Sequence, residues 1–82
     1  MIGLMEEVEV LNLRGLKCPM PALLARRRLA VCGVTQIEIL TDDPMAAVDI
    51  PHMCHQEGHV VVSTTHEGHL ARFLLQAASV TE

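Results

Sequence analysis

The sequence predicts an α+β fold: a two-layer α/β sandwich in βαβαββ order, with a four-stranded mixed sheet and two helices on one face. Three observations carry this reading. The chain has 82 residues, enough for one domain (1–82, with an ordered core over about 7–76). Two segments with helix start and stop signals alternate with short β-patterned runs. The last two β runs follow one another with no helix between them, so they pair antiparallel, while the two βαβ units cross over right-handed. Two helices and four strands in so short a chain form one helical layer over one sheet.

The elements follow in order. Val8, Val10 and Leu13 alternate imperfectly with Glu7, Glu9 and Asn12, which predicts a first strand over 7–13 that Gly15 ends. Pro19 suits the first position of a helix, where its missing N–H costs nothing, and the helix runs over about 19–32 to Gly33. Gln36–Leu40 alternates and predicts a second strand. Thr41-Asp42-Asp43-Pro44 is a helix-start signal, with the acids as caps, and opens a second helix over about 45–57 that stops at Gly58. Val60-Val61-Val62 is a short β-branched run and predicts a third strand. Thr64–Gly68 is polar and reads as a hairpin loop before a fourth strand over Leu70–Leu75, and the tail from Gln76 onward reads as loose.

Composition excludes several function classes. Half the residues are hydrophobic, yet there is one Phe and no Trp or Tyr. The base-stacking platforms of single-strand readers are therefore missing. Formal net charge is −4, which argues against direct nucleic-acid binding. Five of the six basic residues (Arg14, Lys17, Arg26, Arg27 and Arg28) lie in one short stretch, which suits an acidic protein partner or an anionic sulfur species. Three cysteines without close pairing predict free thiols in a reducing cytoplasm. Glu6, Glu7 and Glu9 rule out a signal-peptide pattern, and no apolar run approaches the roughly 20 residues of a membrane span.

Cys18 is the candidate catalytic residue. It sits in Arg14-Gly15-Leu16-Lys17-Cys18-Pro19-Met20-Pro21, at the expected helix start. There the unpaired amides and the positive end of the macrodipole favour a thiolate, the nucleophilic form of cysteine. Arg14 and Lys17 add positive charge and are candidates for steadying an anion. Gly15, Pro19 and Pro21 shape the site: the prolines preset the backbone and carry no N–H, so with Cys18 as cap the free donors come from Met20 and Ala22. The competing reading is a buried cysteine that happens to precede a helix.

On the first helix Ala22, Ala25, Leu29 and Cys32 share a face free of charge, which belongs on the sheet. Met20, Leu23, Leu24 and Val31 lie on the other side around Arg27, and form either a docking patch beside Cys18 or part of the core with Arg27 snorkelling. Cys32 and Cys54 read as packing residues, with Cys54 a resolving thiol only if the fold brings it to Cys18. His52, His55, His59, His66 and His69 match no standard zinc template and read as helix-end and turn residues.

Leu11-Asn12-Leu13-Arg14-Gly15-Leu16-Lys17-Cys18-Pro19-Met20-Pro21 resembles the opening motif of the TusA/SirA-type sulfur carriers. Thr41-Asp42-Asp43-Pro44 and Asp49-Ile50-Pro51 resemble the family's second and third motifs, and Cys54 with Gly58-His59 continues them. Asn12 stands where the family often has Asp, and the C-terminus lacks a basic ending. The resemblance implies a cytoplasmic carrier that takes sulfane sulfur as a persulfide on Cys18. The donor would be a cysteine desulfurase or rhodanese-like protein, and the acceptor a downstream protein of tRNA thiolation, molybdenum-cofactor or sulfur-oxidation pathways. It implies no cofactor, no metal and no membrane partner, and an activity that is sulfurtransferase-like only together with partner proteins. Two other readings use the same residues: a non-catalytic regulatory or adaptor module docking through Met20 and Leu24, and a metal-binding module built on the histidines.

Overall fold

The computed structural model describes residues 8–31 and 33–78. Cys32, the expected strand start at Glu7 and the far end of the tail lie outside the described residues. The elements are β1 (Glu9–Asn12), α1 (Met20–Leu29), β2 (Gln36–Thr41), α2 (Ala46–Glu57), β3 (Val60–Glu67) and β4 (Leu70–Gln76). This is the expected βαβαββ order. The sheet order is β1-β2-β4-β3, with β1 parallel to β2 and the other pairs antiparallel. The β2–α2–β3 connection therefore skips one position, and β4 fills the gap. This is the split βαβ arrangement.

Strand periodicity decides which face meets the helices. Ile37, Ile39 and Thr41 of β2 stand opposite Leu75, Phe73 and Ala71 of β4, and all six are buried. Successive strand residues point to opposite faces, so the intervening Glu38 and Arg72 lie on the other side of the sheet, where they form a 2.6 Å ion pair. The helices contribute Ala22, Ala25, Leu29, Ala46, Ile50, Met53 and Cys54 to the same core. Phe73, the single aromatic residue, is fully buried at its centre. Truncating such a side chain typically costs about 3–5 kcal/mol. Among the described residues no helix is long and apolar enough to cross a membrane.

Several boundaries differ from the expectation, each for a physical reason. The helix α1 begins at Met20, with Pro19 as its N-cap, and ends at Leu29; Ala30 and Val31 close it by bonding back to the carbonyls of Arg26, Arg27 and Arg28. The third strand runs on to Glu67, so the hairpin turn is Gly68–His69 rather than Thr64–Gly68. A sheet edge explains why the pattern hid it: β3 is exposed along most of its length, so nothing demands apolar residues after Val62. A bulge between Val61 and Ser63 further breaks its alternation. The tail is not loose at its start. Gln76 ends β4, Ala77 donates its N–H to Thr35, and Ala78 donates to His59 Nδ1 at 2.7 Å. Gly58 adopts φ +83°, the left-handed turn that ends α2, and the His59 N–H bonds to the Cys54 carbonyl.

Cys54 is a packing residue, and burial pushes its thiol from 9.0 up to about 11. The fold thus holds the neutral form, while the unfolded chain ionises first as pH rises. The stability this confers is complete below the ordinary thiol value and is lost as pH climbs through about 11. Urea midpoints measured across that alkaline window are expected to fall by the equivalent of about 2 kcal/mol in the parent protein, and by clearly less in Cys54→Ala.

Candidate functional site

The site is built on the loop that joins β1 to α1. Leu13 extends the β1–β2 ladder by one bond to Leu40, and the chain then turns at Gly15, whose φ of +88° is a conformation other residues resist. No neighbouring atom crowds that glycine, so the need there is conformational rather than steric. The Asn12 side-chain oxygen accepts bonds from the Arg14 backbone N–H and, at 2.9 Å, from Arg14 Nε. Arg14 and Lys17 are exposed, and neither forms an ion pair among the described residues.

Two acids fasten this loop from across the fold. The Gly15 N–H donates to Asp42 Oδ1 at 2.9 Å, and the Cys18 N–H donates to Asp43 Oδ2 at 2.7 Å. Asp42 and Asp43 lie on the β2–α2 connection, where they were expected to cap α2. They do not: Met45 is the N-cap of α2 and no side chain caps it, while the carboxylates reach to the cysteine loop instead. Bonds from backbone N–H to a carboxylate are charge-assisted and stronger than neutral ones. Thr41 steadies the connection, since its buried hydroxyl accepts the Asp43 N–H.

Cys18 itself is exposed, not a core residue. The expected source of its reactivity is corrected, however. Pro19, not Cys18, is the N-cap of α1, and the Met20 N–H is already bonded to the Lys17 carbonyl. The thiol faces α2, where Sγ donates to Asp49 Oδ2 at 2.6 Å. That bond, with lesser contributions from local desolvation and the charges of Asp49 and Asp43, pushes the thiol above its ordinary 9.0. The contact therefore favours the thiol, opposite to the thiolate that the macrodipole and nearby cations were expected to favour. Sequence reasoning missed Asp49 as part of the site, because its partner lies 31 residues away and no local pattern reports such a contact.

Other expected features fall into place around this centre. Pro21, in the first turn of α1, is buried, while Pro19 and Met20 are exposed beside Cys18. Leu23 and Val31 are exposed and Leu24 is half-buried; with Leu11, Leu13, Arg27 and Arg28, Leu24 and Val31 line an open groove of about 320 Å³. The apolar patch of the outer face of α1 therefore exists. Arg28 is drawn to Glu9 at 2.7 Å, while Arg27 is exposed at the rim. A cleft of about 240 Å³ is lined by Asp42 and Asp43 together with His66 and His69. Among the described residues no group of three His, Cys, Asp or Glu side chains is placed to hold a metal ion. Cys54 is buried in the core, unlike the exposed Cys18.

The family model for sulfurtransferase TusA matches residues 9–77. The sulfur carrier protein TusA of Buchnera aphidicola subsp. Baizongia pistaciae is 32% identical over 68 residues, covering 82% of this chain and 86% of that protein. Putative sulfur carrier proteins of Neisseria meningitidis serogroups A and B are each 32% identical over 69 residues, covering 83% of this chain and 93% of theirs. The crystal structure of a SirA-like protein from Desulfitobacterium hafniense shares the fold, with a TM-score of 0.74 at 18% identity, over 87% of this chain and 99% of that one.

If Asp43 fastens the loop as its geometry indicates, Asp43→Ala lowers stability by about 1–2 kcal/mol. Hydrogen exchange read residue by residue is expected to show the Cys18 amide losing protection, while the amides of β2 and β4 keep theirs.

Proposed function

The chain belongs to the TusA family, and from that premise we propose that it carries sulfane sulfur as a persulfide on Cys18. The observation that supports this most directly is an exposed thiol on a loop whose backbone is fastened at Gly15 and Cys18 by carboxylates from another element. A sulfur carrier needs that combination: an atom open to partner proteins, held in one place. The reaction is thiol–persulfide exchange. The Cys18 sulfur attacks the outer sulfur of a donor persulfide, a new S–S bond forms, the donor's own S–S bond breaks, and the donor thiolate takes up the proton that Cys18 gives up. The net change is Cys18–SH plus R–S–SH to Cys18–S–SH plus R–SH, without oxidation or reduction. Delivery repeats the exchange with an acceptor thiol.

In this reading the donor is a cysteine desulfurase or rhodanese-like protein in the cytoplasm. The acceptor belongs to a tRNA-thiolation, molybdenum-cofactor or sulfur-oxidation relay. Pro19, Pro21 and Gly15 set the backbone at Cys18; Lys17 and Arg14 offer positive charge to an outgoing persulfide; Met20 and Leu24 belong to the surface on which partners dock. Turnover belongs to the pair of proteins rather than to this chain alone, and no cofactor takes part.

Incubation with a desulfurase and cysteine, followed by mass spectrometry of the intact protein, tests the assignment. Cys18→Ser is expected to lose the added sulfur, whereas Cys32→Ser and Cys54→Ala keep it; sulfur loading at the parent level in Cys18→Ser rejects Cys18 as the carrier. Making the patch polar without adding charge, as in Met20→Gln, is expected to slow sulfur transfer from the donor protein while leaving alkylation of Cys18 by a small reagent unchanged.

A further inference from the structure

We propose that Asp49 is a positioning residue that latches Cys18: its carboxylate engages the thiol proton and fixes the direction of the sulfur in the free protein, so that reaction at the sulfur requires this contact to open. The inference rests on the reading of Cys18 as the sulfur-bearing atom, and deepens it by assigning a control element to that atom.

The geometry supplies the first part. A carboxylate only accepts hydrogen bonds, so the 2.6 Å contact between Sγ and Asp49 Oδ2 exists only while sulfur carries its proton. Once the proton leaves, the same two atoms are anions facing each other. Asp49 is also poorly able to step aside. It lies in the first turn of α2, next to Ile50, which is fully buried, and one turn before Met53 and Cys54, both in the core. The backbone of Cys18 is fixed independently, through its N–H to Asp43. Both partners are therefore anchored, and the contact is a property of the fold rather than of a wandering surface side chain.

The surrounding charges supply the second part. Asp49 faces the sulfur from α2; Asp43 and Asp42 approach its loop from the β2–α2 connection; Lys17 and Arg14 lie on the loop itself. Among the described residues none of these three acids forms an ion pair that would neutralise its charge. The upward displacement of the thiol, whose largest cause is the bond to Asp49, agrees with this arrangement. After loading, the outer sulfur of a persulfide anion is repelled by the Asp49 carboxylate and turns away from α2. The same residue that restrains the empty thiol thus directs the loaded one outward.

The test is the pH profile of Cys18 alkylation by iodoacetamide, from about pH 6 to about pH 10, where the rate follows the thiolate fraction. A Cys32→Ser, Cys54→Ala parent leaves Cys18 as its single thiol. Asp49→Asn is expected to move the profile's midpoint to lower pH and to speed alkylation at neutral pH; Asp49→Glu, which keeps the charge, is expected to return the midpoint towards the parent's. An unchanged midpoint in a cooperatively melting Asp49→Asn protein overturns the proposal. So does a parent midpoint below that of free cysteine, which requires no Asp49 variant to fold. Alkylation needs no sulfur donor, so a failure to load sulfur refutes the carrier assignment while leaving the latch measurable.

Discussion

Asp42 and Asp43 hold the cysteine loop to the rest of the molecule, and the geometry of the site depends on those two attachments. They accept N–H bonds from residues 27 and 25 positions away, so they join the two connections that leave the parallel pair β1 and β2. Parallel strands send their following connections out at the same end of the sheet. The two loops are therefore neighbours by topology, and the acids turn that proximity into a fixed spacing. Without them, the described segment from Arg14 to Cys18 keeps only local bonds: Leu16 to Leu13, Met20 to Lys17, and Arg14 to the Asn12 side chain.

The arrangement also separates placement from reactivity. Backbone bonds fix where Cys18 is, and a side-chain bond from α2 engages its sulfur. A cysteine at a helix start is ordinarily activated by amides and positive charge. Here the helix start is occupied by Pro19, and two acids, Asp49 and Asp43, push the thiol above its ordinary value. A carrier differs from an enzyme in this respect. It must leave bystander molecules alone between encounters, which a permanently ionised thiol does not do.

The element order and the core face of α1 were legible in the residues, because burial imposes periodicity: Ala22, Ala25 and Leu29 mark one stripe, and Ile37 with Ile39 mark the inner face of β2. So was the placement of Cys18 outside the core, through the prolines and the cations beside it. What stayed hidden was long-range or unpressured. The full length of β3 was hidden because an edge strand open to water needs no pattern. The partners of Asp42, Asp43 and Asp49 were hidden because an acid before a helix looks the same whether it caps that helix or crosses to another loop. The resemblance in the second and third motifs pointed at these residues without saying what they touch.

The sheet order gives the outermost place on one side to β1, which has four residues and a single neighbour, β2. The central pair, β2 with β4, carries five of the largest fully buried side chains: Ile37, Ile39, Thr41, Phe73 and Leu75. Segments at such margins detach at lower free energy than the centre does. Fraying of β1 would carry the Cys18 segment with it, ahead of any global unfolding. The acids on the β2–α2 connection act against that excursion as a second tether from the stable interior, keeping the shape of the sulfur's surroundings from being set by the weakest strand alone.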